Sequence, residues 1–186
     1  MEQSSDLETY RTAKLQLKER LKKLNALLNA NLHATTNKEM KYEEWEKSHQ
    51  PFHWLAEYYD IINGNGGFDV VIGNPPYVEF PSKYVNYSLN RLKTSECGNL
   101  YGCCIERALN ISSIIGRFSF IIPVAITCSK RMTDVITLLR DKSNCLYFSN
   151  YDDRPGKLFE MIEHLRACIV ISAKGRKDGQ IIHSTK

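Results

Sequence analysis

The residues best suited to chemistry are Asn74-Pro75-Pro76-Tyr77, which follow the apolar run Phe68-Asp69-Val70-Val71-Ile72-Gly73. A residue before proline is pushed from the helical region toward extended backbone, and each proline fixes its own φ, so this order predicts a rigid turn at the end of a strand. Neither proline has an N–H. The carbonyls of the turn therefore face fewer internal donors, and the Asn74 amide oxygen supplies a second acceptor beside the Pro75 carbonyl. Two adjacent acceptors suit an NH2 group: they can hold both hydrogens of an exocyclic amine and draw its nitrogen from planar toward tetrahedral, freeing the lone pair to attack an electrophile. Pro76 would hold the turn, and Tyr77 offers a flat face on which a base can stack. The same four residues are equally compatible with a rigid Pro-Pro loop carrying a surface tyrosine.

Other groups carry weaker signals. Lys83, Tyr84, Tyr87, Arg91 and Lys93 follow the turn and mix charge with aromatic rings, as a loop that contacts a nucleic-acid strand does, and as a solvated loop also does. His49 and His53 have the spacing of two helical metal ligands, but Pro51 lies between them and no third ligand is suitably spaced, so no metal is expected. Asp152, Asp153, Glu160 and Glu163 read as a solvated turn and helix face rather than a nuclease centre. The six cysteines include no C-x-x-C pair and sit mostly in apolar segments, which is the pattern of reduced core thiols. No Pro-Cys dipeptide occurs, which sets aside the cysteine-nucleophile chemistry of cytosine-C5 methylation.

The elements that must position the turn follow from periodicity. Leu7, Tyr10, Leu17, Leu21, Leu24 and Leu28 recur at three, four and seven residues and predict an amphipathic helix over 7–32, packed against its own domain or recruiting a partner. Residues 33–48 read as a linker or short second helix anchored by Trp45. Then helix-like segments (52–62, 99–113, 129–141, 157–165) alternate with strand-like ones (68–73, 117–122, 144–149, 167–173), around a polar loop at 78–97. That alternation marks an α/β sheet. The unbroken apolar character of 68–73 and 118–122 predicts parallel strands buried on both faces. Asn74 and Pro123 would then lie at the carboxyl ends of their strands, where open α/β sheets bind ligands.

Composition bounds the rest. A chain of 186 residues, 42% hydrophobic, can bury the core of one ordinary domain with a helical appendage. The net charge of +4 is compatible with a nucleic-acid partner without arguing for one. It is spread evenly, with nine basic against eight acidic residues in 1–50 and sixteen against thirteen in 51–186. The polar N-terminus and the lack of a long apolar run point to a cytoplasmic protein with no membrane span and no secretory signal.

The fuller string Pro51-Phe52-His53-Trp54 followed by Gly66-Gly67-Phe68 through Tyr77 resembles the restriction-modification DNA adenine-N6 methyltransferases, particularly the Type IIG enzymes. Gly98-Asn99-Leu100-Tyr101, Gly116 to Pro123, and Arg154 to Glu160 before Ala167 to Ser172 also look like that family, so the resemblance covers about residues 49–175. It implies that Asn74, Pro75, Pro76 and Tyr77 are catalytic and hold the N6 amine of a flipped adenine in DNA. It also implies S-adenosylmethionine as methyl donor and Phe159 as an aromatic for the base's other face; Lys83 and Tyr84, from the mixed charged and aromatic loop, are the further expected substrate contacts. Asn99 stands where many relatives carry aspartate. No glycine-rich cofactor turn precedes Asn74; Gly64-Asn65-Gly66-Gly67 reads instead as a turn into the strand.

The expected fold is therefore α/β, the second half of a Rossmann-like S-adenosylmethionine-dependent methyltransferase sheet. A helical lead-in (1–48) precedes a partial catalytic domain (49–186). Such a chain would be inactive alone and would need a companion chain to supply the cofactor half. Residues 68–73 would form a sheet edge that lacks its usual neighbour. Two alternatives stay open: a non-catalytic remnant or split-enzyme subunit, and a methyltransferase of amines or amides in RNA or protein glutamine.

Overall fold

A computed structural model describes residues 2–36, 39–80, 89, 92–153, 158–159, 166–175 and 179–185. The chain divides into two compact units, Met1–Asp60 and Ile61–Lys186.

The first unit is helical. The helix expected over 7–32 runs as α1 over Glu2–Thr36, followed by α2 (Tyr42–His49) and the short α3 (Trp54–Glu57). Only the second half of α1 packs within its unit. There Asn29 Nδ2 donates to Glu46 Oε1 at 3.0 Å, Asn25 Nδ2 reaches Glu57 Oε1 at 2.6 Å, and the His33 ring contacts Tyr42 and Trp45. Trp45 is buried and anchors α2, as its position in a polar stretch suggested. The helix expected over 52–62 is much shorter. It stops at Tyr58, whose backbone leaves helical geometry (φ −120°), while Trp54 and Tyr58 stack, Phe52 meets Trp54 edge-on, and a separate π-helical turn forms at Asp60–Gly64.

The second unit is a five-stranded mixed sheet. Its elements are β1 (Phe68–Gly73), α4 (Leu100–Ile111), β2 (Ser112–Pro123), α5 (Ala125–Cys128), α6 (Thr133–Lys142), β3 (Cys145–Tyr151), β4 (Ala167–Ala173) and β5 (Ile181–Ser184). The spatial order is β1-β2-β4-β3-β5. β1 runs parallel to β2, as expected, but β4 is antiparallel to both its neighbours, so the sheet is not purely parallel. The helix expected over 157–165 falls almost wholly outside the described residues.

One sheet face is filled. Phe118, Phe120 and Ile122 of β2, Cys168 and Val170 of β4, and Leu146 and Phe148 of β3 pack with Tyr101, Ile105 and Leu109 of α4 and Val135 and Leu139 of α6. Side chains alternate along a strand, so residues one register step away point to the other face. That row runs Ile72, Ser119, Ile171, Tyr147 and His183, and Ile72, Ile171 and Tyr147 are exposed. The expectation that β1 is buried on both faces is therefore overturned: Val70 is 62% and Ile72 78% exposed. The cause is the face, which no layer among the described residues covers, so that Ile171 of the interior strand β4 is exposed there too; β1 is in addition the sheet edge, with β2 on one side and no strand among the described residues on the other.

The junction between α4 and β2 explains two glycines. Gly67 has φ +125°, and a Cβ there would lie 2.6 Å from Ile111 O and from Ser113 N; a Cβ at Gly116 would lie 2.8 Å from Phe68 O. The chain entering β1 thus presses backbone to backbone on β2, where the register shifts between Phe68 and Val70, and only glycine fits. Lys174 closes the same junction from β4's end, donating from Nζ to Leu109 O and Ser112 O at 2.8 Å each.

Candidate functional site

The Asn74–Tyr77 turn leaves β1 beside the last residues of β2. Gly73 pairs with Phe120, and β2 continues to Pro123, which pairs with Ala167 at the start of β4, itself paired with Tyr151 at the end of β3. The turn, Val124 and both ends of the β3–β4 connection thus emerge at one end of the sheet, the place open α/β sheets use for ligands. Val124 N donates to Arg166 O at 2.9 Å, and Arg166 pairs with Asp152 at 3.0 Å across the base of that connection.

Within the turn the four residues divide their work. Pro75 is buried and anchors it, whereas Asn74 and Pro76 are exposed. Among the described residues no hydrogen bond engages the Asn74 side-chain amide. Tyr77 is half-buried against the core; its hydroxyl donates to Ile121 O at 2.8 Å and its ring meets Tyr101 edge-on, with centroids 6.4 Å apart. Burial pushes its phenol above the ordinary tyrosine value. The hydroxyl bond ties the turn to β2, a role that the sequence did not suggest for this residue.

The chain beyond the turn is clamped to the start of α4. Leu100 N donates to Val78 O at 2.9 Å, Phe80 N donates to Gly98 O at 3.1 Å, and Glu79 and Asn99 form a bridge between them. Asn99 caps α4, its side-chain oxygen accepting from Tyr101 N at 3.4 Å. Capping uses an oxygen that asparagine and aspartate both have, so the local fold is indifferent to which one stands here. Gly98 has φ +69°, and a Cβ on it would come within 2.6 Å of Arg131 Nη2.

A second clamp was invisible in the sequence. Glu106, buried on α4, accepts from both the backbone N and the hydroxyl of Thr94 at 2.9 Å each, fixing the end of the 78–97 loop. A glutamate in a helix reads as a surface residue, and nothing local marks this one as a buried acceptor. Cys97 and Cys103 are likewise buried together beside this loop; their mutual hydrogen bond draws the Cys97 thiol down to about 7 and pushes the Cys103 thiol up.

The other sequence candidates are dispersed. Phe159 is half-buried in the β3–β4 connection. Lys83 and Tyr84, with Tyr87 and Arg91, lie outside the described residues, and Lys93 is exposed. His49 stacks on Trp45, and His53 Nε2 meets Asn29 Oδ1 at 2.7 Å, so each ring has a structural partner in the helical unit. Among the described residues no group of three or more His, Cys, Asp and Glu could hold a metal ion, and no helix is long and apolar enough to cross a membrane.

The chain is similar to known proteins in sequence and in fold. Over 83 residues, 45% of this chain, the sequence is 36% identical to a Methanocaldococcus jannaschii protein assigned as a type II restriction enzyme and methyltransferase. The fold is similar to part of the Type ISP restriction-modification enzyme LlaGI, in a nuclease-deletion mutant bound to a DNA substrate mimic, with TM-score 0.56 over 83% of this chain at 17% identity. It is also similar to part of DrdV in its DNA complex, with TM-score 0.52 over 70% of this chain at 14% identity. The chain spans only 7%, 17% and 15% of those three relatives, respectively. Residues 4–152 match the family described as Eco57I restriction-modification methylase, and they include α1, the turn, α4, β2 and β3; the chain belongs to that family.

Proposed function

We propose that this chain forms the acceptor side of a DNA adenine-N6 methyltransferase, receiving an extruded adenine at the carboxyl end of β1 and holding its amine for methylation. Extrusion is required because the duplex hides N6 and both stacking faces. The observation that carries the reading is the division of the turn. A buried Pro75 and an anchored Tyr77 hold it still while the exposed Asn74 amide is left without a partner among the described residues. Asn74 Oδ1 and the Pro75 carbonyl would each accept one amine hydrogen, and Tyr77 would present its ring to the base. Phe159 would close the base's second face from the β3–β4 connection, and Lys83 and Tyr84 would contact the nucleic-acid strand. Membership of a restriction-modification methylase family supports methyl transfer to DNA as the reaction.

S-adenosylmethionine supplies the methyl group in such a reaction, and the residues described here do not fit it. In the glycine cluster before the turn, Gly67 presses on the α4–β2 backbone too closely for a ligand to intervene, and Gly64 and Gly66 lead into β1 instead of opening a helix. The donor side would come from a companion polypeptide or further domain, and the free edge of β1 is where its sheet would join. The same mismatch argues against these residues acting as a self-sufficient enzyme.

The test is made in the assembly that restores transfer. Asn74→Ala should lower turnover by about two orders of magnitude or more while DNA binding changes little, the behaviour of a preorganised polar group lost from a transition state. The labelled product should be N6-methyladenine. An unchanged rate would contradict the amine clamp, and label appearing in RNA or in protein glutamine would replace the substrate.

A further inference from the structure

The two halves of α1 differ in what covers them. From Asn25 onward the helix is held by α2 and α3, whereas every residue from 6 to 20 is exposed, including Leu7, Tyr10 and Leu17 at 53%, 64% and 67%. At about 100° per residue, Leu7, Tyr10, Leu17, Leu21 and Leu24 fall in one stripe about 100° wide, adjoining the side from which Asn25, Asn29 and His33 meet α2 and α3 further along. Arg11 and Lys18 border the stripe on one side and Arg20 on the other, Lys14 lies within it, and Glu8 and Glu19 fall on the back. Over residues 7–24 six Lys and Arg face two Glu. Helical stability in proteins comes mostly from packing such a face, not from propensity.

We propose that this half of α1 docks an acidic amphipathic helix, one with apolar residues at three- and four-residue spacing flanked by Glu or Asp, lying along the stripe. Charge complementarity selects this occupant. A second copy of α1 laid parallel would set Lys14 against Lys14, and laid antiparallel would set the Arg11 and Lys18 flanks against each other. A DNA backbone would neutralise the basic flanks but leave the leucine stripe in water. A lipid surface wants one broad apolar face, whereas Leu15 and Leu27 project from α1 well away from the stripe on either side.

The test uses the full chain and a synthetic helical peptide of about 21 residues, with Leu along one seam and Glu on both flanks. Its counterpart carries Lys in place of every Glu. By calorimetry the Glu peptide should bind, more weakly as salt rises, and the Lys peptide at least about tenfold less tightly. Leu17→Glu should abolish binding. Leu15→Glu, equally exposed but off the stripe, should keep it, and unchanged circular dichroism in both variants establishes that the fold survives. Equal affinity for the two peptides would overturn the proposal, as would equal effects of the two variants. So would a Leu17-dependent dimer in sedimentation, or Leu17-dependent binding to duplex DNA or phosphatidylserine vesicles with none to the Glu peptide.

Discussion

β1 and β2 are the same kind of sequence in two different environments. Each carries an apolar run that predicts burial on both faces, yet burial follows the face of the sheet. Phe118 and Ile122 of β2 are sealed in the core and Val71 of β1 packs against it, whereas Val70 and Ile72 of β1, on the other face beside Arg117 and Ser119 of β2, stand in solvent. β2 has a strand on each side; among the described residues β1 has one. Apolar character records the surroundings a strand is built for, and β1 carries residues for a neighbour and a covering layer that the described residues do not provide. An edge of this kind is exposed to unwanted pairing, which natural sheets usually blunt with charge or proline. Here only Asp69 interrupts the apolar run.

Substitution should separate the two strands most sharply. Phe118→Ala removes a fully buried ring and should cost about 3–5 kcal/mol in denaturant unfolding, whereas Ile72→Ala should stay within about 0.5 kcal/mol. If the proposed companion half covers β1, the Ile72 cost should rise once the two are assembled. Equal costs in the isolated chain would erase the contrast.

Alkaline pH should draw the same line. Burial in β4 pushes the Cys168 thiol from 9.0 up to about 12, so above pH 9 the unfolded chain releases this proton while the native one keeps it. A folded value above the unfolded one gives stability that is present below 9.0 and lost as pH rises toward 12. Melting temperature should therefore fall over that window, and Cys168→Ala should flatten part of the decline relative to its own neutral-pH value. An unchanged slope in the variant would show that the thiol is not protected in the sheet.

Tyr77→Phe probes the joint between the two strands and should have a far smaller effect than Phe118→Ala. Losing the hydroxyl bond to Ile121 O should cost on the order of 1 kcal/mol in stability, while the stacking face survives and turnover in the assembly stays largely intact. A loss as large as that of Asn74→Ala would give the hydroxyl a part in the chemistry.

The sequence revealed most where structure is local. The β1 run bounded by Gly73 and Pro75 and the β4 run at 167–173 were legible with their boundaries, because apolar stretches between breakers fix a strand's extent. β5 was missed, since its four exposed residues carry no pattern and their strand is defined only by pairing with β3. The turn at Asn74 was legible as chemistry because proline acts on its own backbone. What steadies that turn was not: Tyr77 reaches across to Ile121, and Thr94 meets Glu106 from twelve residues away, contacts that exist only once the chain has folded. Exposure of β1 was illegible for a further reason, because hydrophobicity tells what a strand prefers, not whether a neighbour is there to meet the preference.

If these residues form the acceptor side without the donor side, as proposed, calorimetric titration of the purified chain with S-adenosylmethionine is the decisive experiment. The expected result is no binding, or affinity no tighter than about millimolar, a strength that a few incidental contacts supply. Micromolar affinity for the chain alone would contradict it and would place a complete cofactor site within these 186 residues.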